Sequence, residues 1–408
     1  MRIGIIIADS NGGYPVPASK GGAVSTLVEH IVKENNYKQL FKLDIVSVYD
    51  FEAEKLSKQY PNIRFRWIKV PKVISIIDRF IFFSTRKLFP NVKSVSYKTL
   101  ASLAYIILRS SHILRQTKYD KIVLENNIPL AWAVKLSDYK GDYYYHLHNV
   151  PRINAKCKKV FENCTGYLCV SRYVANQIAS ANNPIGPVDQ NRIKVLYNCI
   201  NVKDFHPNKG ARKSVREKYF IRENDVVLLF VGRLSAEKGI DKLLEAGKQL
   251  DENYKILIVG SLLHGADGKD SYFHKLKKSA EQLYERIFFT GYIAQWELPD
   301  YYNAADIAVL PSMWDEPAGL TMVEANACGL PLITTESGGI PEYAGECGIV
   351  LKRDEQLVHN LVCSIRKIAN SLERYPSERA IRRVTENFNS DRYLERFLET
   401  IMGNNTES

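Results

Sequence analysis

The sequence predicts an α/β protein made of two Rossmann-like domains, each built on a parallel sheet. Three observations carry this. Short, nearly continuous apolar runs recur along the chain, amphipathic stretches separate them, and 408 residues suit two such domains better than one. The first runs are Ile3–Ala8, Leu43–Val48, Ile63–Val70, Lys121–Glu125, Tyr143–His148, Tyr167–Val170 and Ile193–Tyr197. Between the first two lies a helix, because Val24, Leu27, Val28, Ile31 and Val32 follow helical spacing after Gly21-Gly22. His206–Asp225, with Pro207, Gly210 and many charges, reads as the connection between domains. A second set of runs follows: Val226–Gly232, Lys255–Gly260, Ile287–Gly291, Ile307–Pro311, Leu332–Thr335 and Gly348–Leu351. An amphipathic segment around Arg392–Met402 closes the chain.

Composition narrows the class. Apolar content is 45% and charged content 25%, ordinary for a soluble globular protein. No apolar run is long enough for a spanning helix, and the Met1–Ile7 start reads as a strand without a leader's cleavage region. A cytoplasmic protein is therefore expected. The 7 cysteines form no C-x-x-C pair and read as small apolar groups rather than metal or redox ligands. Charge is uneven. Residues 1–200 hold 29 Lys and Arg against 14 Asp and Glu, whereas the rest holds 27 against 31. A basic half points to an anionic partner. No nucleic-acid-binding signature accompanies it, so nucleic acid is not expected.

The densest chemical signal runs from Leu310 to Glu342. A strand ends at Pro311, and Pro317-Ala318-Gly319 opens a helix. Amides from Gly319, Leu320 and Thr321 have no partner within a helix and, with its dipole, form an anion site. Glu316 precedes that helix and Glu324 lies inside it, so the two carboxylates can accept hydroxyls at two ends of one ligand. Taken alone, Glu324 would more often be a solvated helix residue and Glu316 an N-terminal charge favoured by the dipole. In Gly232-Arg233-Leu234 through Glu237-Lys238-Gly239, Arg233 and Lys238 share a short loop after a strand, which suits a diphosphate. Gly21-Gly22 lets backbone approach a ligand. His146 and His148 close one strand on the same face, and His148 is the nearer to its carboxyl end, where ligands gather. No G-x-G-x-x-G and no Asp-x-Asp occurs, which argues against a dinucleotide dehydrogenase and against a carboxylate-held metal.

These motifs together resemble the retaining glycosyltransferases of family four, which have the GT-B fold, particularly those of bacterial capsule and exopolysaccharide assembly. Weaker echoes, such as Phe289-Thr290-Gly291 and Phe205-His206-Pro207, extend over most of the chain. The resemblance implies an acceptor-side domain of residues 1–203, rejoined by 385–408, and a nucleotide-sugar domain of residues 204–384, with the donor in the cleft between their sheets. It implies that Arg233 and Lys238 hold the donor diphosphate, Glu316 the sugar and Glu324 the ribose. Gly319, Leu320 and Thr321 would offer amides, Gly22 would approach the diphosphate, and His148 would lie near the reacting carbon. Transfer would proceed with retention, without metal or other cofactor, from a UDP or GDP donor rather than a dTDP one. Ala318 stands where the family usually has an aromatic residue, and Gly260-Ser261-Leu262 replaces its Gly-x-Gly. A sugar-nucleotide epimerase on the same fold, or a nucleotide-sugar-binding protein without catalysis, is the alternative.

One segment is left over. Lys72–Lys98 mixes Lys72, Arg79, Arg86, Lys87, Lys93 and Lys98 with Ile76, Ile77, Phe80, Ile81, Phe83, Leu88 and Phe89, against Asp78 alone. Such a mixture suits a helix lying on an anionic membrane, which would make the protein peripheral on the inner face of the cell membrane and its acceptor a lipid-linked glycan. It equally suits a helix packed in the core.

Overall fold

The computed structural model describes residues 1–8, 14–88, 98–261, 271–374 and 377–402. They form two compact units, Met1–Tyr197 with Asp391–Ser408, and Asn198–Ser390. Each expected apolar run forms a strand. In the first unit these are β1 (Arg2–Ile7), β2 (Lys42–Val48), β3 (Ile63–Ile68), β4 (Lys121–Glu125), β5 (Asp142–Leu147), β6 (Gly166–Cys169) and β7 (Ile193–Val195). They lie in the order β3-β2-β1-β4-β5-β6-β7, and every pairing is parallel. The second unit holds β8 (Val226–Val231), β9 (Tyr254–Val259), β10 (Ile287–Gly291), β11 (Ile307–Leu310), β12 (Leu332–Thr335) and β13 (Gly348–Leu351). Their order is β10-β9-β8-β11-β12-β13, again all parallel.

The apolar runs form parallel strands because helices cover both faces and leave no solvent side for polar alternation. β8 is buried at every residue. In both sheets the strand order reverses beside the first strand, between β1 and β4 and between β8 and β11. The crevice at the carboxyl ends there is where open α/β sheets bind ligands. The cysteines form no disulfide among the described residues, and Cys157, Cys164, Cys169, Cys199 and Cys328 are buried as small apolar groups.

Three segments add detail to the sequence reading. His206–Asp225 is more than a connection, since it contains the helix Lys209–Lys218. Asn208 caps that helix by accepting from the amides of Gly210 and Ala211 at 3.0 and 3.2 Å. Arg216 within it is buried against Asp306 at 2.6 Å. The final helix, Tyr393–Met402, packs within the first unit, where Tyr144 donates to the Ile401 carbonyl at 2.8 Å.

The helix Lys72–Leu88 corrects the core-helix alternative. Val73, Ile76, Phe80 and Phe83 are 65, 62, 73 and 67% exposed, while its one acid, Asp78, is 4% exposed. Phe89 and Lys93 lie outside the described residues. Among the described residues no helix is long and apolar enough to cross a membrane.

Candidate active site

Each unit carries its own set of chemical groups at the carboxyl ends of its strands. In the second unit, β8 runs into the loop that holds Arg233 and Lys238, and β11 runs into the loop that holds Glu316. Two hydrogen bonds to one carbonyl lock these loops together. The amide of Met313 donates to the Glu237 carbonyl at 2.8 Å, and the hydroxyl of Ser312 donates to the same carbonyl at 3.2 Å. Gly239 has φ +68°, and a Cβ there would lie 2.0 Å from the Pro311 carbonyl oxygen. Any side chain would push the lysine loop off the end of β11. The result is an ion pair between Lys238 Nζ and Glu316 Oε1 at 2.9 Å. The Glu316 carbonyl accepts from the Gly339 amide at 2.7 Å, so the Ser337-Gly338-Gly339 turn fixes the backbone under that carboxylate. Arg233 is exposed and makes no ion pair among the described residues.

Gly319 is the N-cap of the helix Leu320–Ala327, and no side chain caps it. The amides of Leu320 and Thr321 therefore face outward with the helix dipole behind them. Glu324 is buried on this helix, and Tyr302 donates a hydrogen bond to its Oε2 at 2.7 Å. Burial pushes the Glu324 carboxyl up to about 7, against the Tyr302 hydrogen bond. The group can thus change protonation near neutrality. Two donors escaped the sequence reading: Ser235 Oγ and Trp314 Nε1, on these same two loops, are buried without a partner among the described residues. No motif singles out either, because a Ser or Trp in a loop has no spacing signature.

In the first unit, Gly22 has φ +98° immediately before the helix Ala23–Lys38, and a Cβ there would meet the Tyr14 ring at 3.0 Å. Backbone, not side chain, is presented at that point. The parallel register sets Glu125 of β4 beside His146 of β5. Glu125 then bonds both histidines, His146 through Nδ1 and His148 through Nε2, each at 3.0 Å. Glu125 is a residue the sequence reading missed. The signal available was its position at the end of the strand beside the histidine strand.

All three groups are buried. Burial, and then the charge of His146, push His148 down to about 4, against the pull of Glu125. Burial opposes ionisation of Glu125, but His146 and His148 outweigh it and hold the carboxyl at about 2. At neutral pH the carboxylate is charged and His148 neutral. A neutral His148 that donates from Nε2 keeps its lone pair on Nδ1. The three ligand atoms lie within 4.8 Å of one another, a spacing that could also hold a metal ion. The carboxylate bonds both rings directly, while the other ring nitrogen of His146, Nε2, is buried without a partner among the described residues.

The expected residues thus fall into two groups. Arg233, Lys238, Glu316, Gly319, Leu320, Thr321 and Glu324 gather at β8 and β11, while Gly22 and His148 belong to the first unit.

Residues 211–380 match the family model described as glycosyl transferases group 1. Spore coat protein SA of Bacillus subtilis is 27% identical over 248 residues, which are 57% of this chain and 64% of that protein. A putative glycosyltransferase of the same organism, YtcC, is 25% identical over 347 residues, 83% of this chain and 76% of that protein. A crystal structure of HepE from Anabaena, in complex with UDP and glucose, superposes with a TM-score of 0.71 over 99% of this chain and 100% of that one, at 19% identity.

Proposed function

We propose that this GT-B glycosyltransferase, whose residues 211–380 carry the group 1 match, moves a hexosyl or 6-deoxyhexosyl group with retention and without a metal ion. The donor is a UDP- or GDP-sugar, and the acceptor a lipid-linked glycan at the inner membrane face, in the synthesis of a cell-surface polysaccharide. HepE, with a related fold, has been crystallised with UDP and with UDP-glucose. The observation that carries the reading is the Lys238–Glu316 pair beside the uncapped helix Leu320–Ala327.

In this reading the donor diphosphate takes Lys238 from Glu316 and gains Arg233 and the amides of Leu320 and Thr321. Glu316, released, accepts hydroxyls of the sugar, and Glu324 accepts those of the ribose. As the bond to the sugar breaks, negative charge grows on the departing diphosphate. Two cations and a helix end already aimed at it lower the barrier without reorganisation. His148 contributes its Nδ1 lone pair near the reacting sugar. The exposed cationic and apolar helix Lys72–Leu88 supports a membrane surface as the place of work.

The test is transfer from radiolabelled UDP- and GDP-sugars to a membrane extract in the presence of chelator, with the product anomer read by NMR. Label moved with retention supports the proposal. Strict dependence on added metal, or an inverted product, refutes it.

A further inference from the structure

His146 and His148 alternate along one strand, so both imidazoles stand on one face of the first sheet, with ring centroids 4.1 Å apart. Glu125 reaches the same face from β4, because the parallel register sets it beside His146. Its Oε2 lies 3.0 Å from His146 Nδ1 and 3.0 Å from His148 Nε2. Among the described residues no other three His, Cys, Asp or Glu side chains converge in this way. Such a trio closes on one ion with bonds of about 2.0–2.2 Å to each ligand atom.

The bonds within the trio do not satisfy it. Glu125 is buried, and among the described residues its ion-pair partners are the two imidazoles, with no lysine or arginine. A buried carboxylate without a full cation beside it is costly, and a divalent ion supplies that charge. His146 Nε2 is buried with no partner among the described residues, so one ring is only half engaged. The backbone that carries the trio is held by other groups. Asn126, at φ +52°, accepts from the His148 amide through Oδ1 at 3.1 Å. Asn127 donates from Nδ2 to the Ala8 carbonyl at 2.9 Å and so ties the end of β4 to that of β1. The side chains can therefore exchange their mutual hydrogen bonds for metal bonds while the strand ends stay in place.

The donor set names the ion. Two imidazole nitrogens and one carboxylate oxygen suit Zn2+, whereas Mg2+ and Ca2+ take oxygen ligands. Three protein ligands leave a further position open. His148 marks the way in: it is 8% exposed, against 1% for Glu125 and for His146, and it lies at the carboxyl end of the sheet, where ligands enter.

We propose that Glu125, His146 and His148 bind one Zn2+ ion and that this ion inhibits transfer. The second half rests on the role given above to the His148 Nδ1 lone pair. Nε2 bonds a metal only through its own lone pair, so the single proton of the neutral ring moves from Nε2 to Nδ1. His148 then donates at the position from which it had accepted.

The experiment titrates the untagged full chain, stripped with chelator, with Co2+, whose visible absorption reports four-coordinate binding. One equivalent should bind, and Zn2+ should displace it while Mg2+ does not. Glu125→Gln and His146→Gln should each weaken binding by about a hundredfold, since loss even of a supporting partner costs about ten- to a hundredfold at metal sites. Melting curves identify the folded variants, and ligands on two strands keep the test decisive if one variant does not fold. The exposed His359 and Cys363, with Nε2 and Sγ 3.5 Å apart, offer a competing pair. His359→Gln/Cys363→Ser should leave the cobalt spectrum unchanged. A spectrum lost in that variant and kept in the Glu125 and His146 variants would overturn the proposal, as would no binding at all. Transfer should fall as Zn2+ fills the site and return with chelator, with UDP binding unchanged. One bound Zn2+ with undiminished transfer would overturn the inhibition. If the chain transfers sugar from no donor, the functional reading fails, and the cobalt spectrum still decides the metal site.

Discussion

At the scale of residues, chemistry follows from which side chains share a strand end. Arg233→Ala and Lys238→Ala should each cut turnover by about a hundredfold or more, since each removes a charge-assisted contact that strengthens as the diphosphate departs; the melting temperature should be unchanged in Arg233→Ala and lowered in Lys238→Ala, which leaves the buried Glu316 carboxylate unpaired. Steady-state rates beside a thermal melt check this. Near-normal turnover in both would remove the assignment. Glu324 invites a test with opposite signs. Burial raises its carboxyl to about 7, well above the ordinary carboxylate range, so the fold favours the protonated form. Its contribution is fully present below about 4.5 and fades as pH rises through 7, which costs a few kcal/mol at pH 8. Glu324→Gln should therefore melt higher than the unmodified protein at pH 8, yet bind UDP or GDP about tenfold more weakly. A lower melt at pH 8 would contradict the buried-acid account. His148 runs the other way. Its value is lowered from 6.5 to about 4, so the neutral form is favoured, and stability present above 6.5 is lost as pH falls toward 4. Urea midpoints at pH 7 and pH 4.5 should differ less in His148→Asn than in the unmodified chain. Turnover of that variant should fall more than donor affinity. The pairing of Lys238 with Glu316 was half legible: the motif places both residues, but only the fold sets them 2.9 Å apart. Glu125 was not legible, because its partners come from the next strand through sheet register rather than through sequence spacing.

At the scale of elements, strands were easier to read than helix orientation. A buried parallel strand writes an uninterrupted apolar run, and each expected run appears as one. An amphipathic helix writes only a stripe, and a stripe does not say what covers it. Lys72–Leu88 shows the consequence: its apolar side faces out and its acid faces in. Asp78 there serves the next helix, as its carboxylate accepts from two amides at the start of Leu100–Gln116. Asp78→Ala should cost about 1–3 kcal/mol of stability, since it leaves buried amides without an acceptor. Asp78→Asn keeps an acceptor oxygen and should cost less. Chemical denaturation of the two variants checks the order, and equal losses would mean that the charge, not the hydrogen bonding, is what matters.

At the scale of the whole molecule, two units with one strand plan apiece carry distinct groups: cations, two acids and a helix end in one, a carboxylate with two histidines in the other. A nucleoside diphosphate that binds only the native chain should raise its melting temperature, by about 2.7 kcal/mol of added stability at a hundredfold excess over Kd. UDP or GDP should do so more than dTDP, and chelator should not alter the shift. An equal response to all three, or a shift that needs added metal, would reassign the site.

The sequence by itself determined the strands, their parallel pairing and the loops that bear Arg233, Lys238, Glu316 and Glu324. Burial on both faces and glycine-flanked strand ends are local properties, written in consecutive residues. Only the tertiary structure decided which groups meet. Register brought Glu125 to His146 and His148, a Gly239 contact brought Lys238 to Glu316, and packing set Asp78 inward and Phe80 outward. Those outcomes depend on residues far apart in the chain, whose proximity no local pattern encodes.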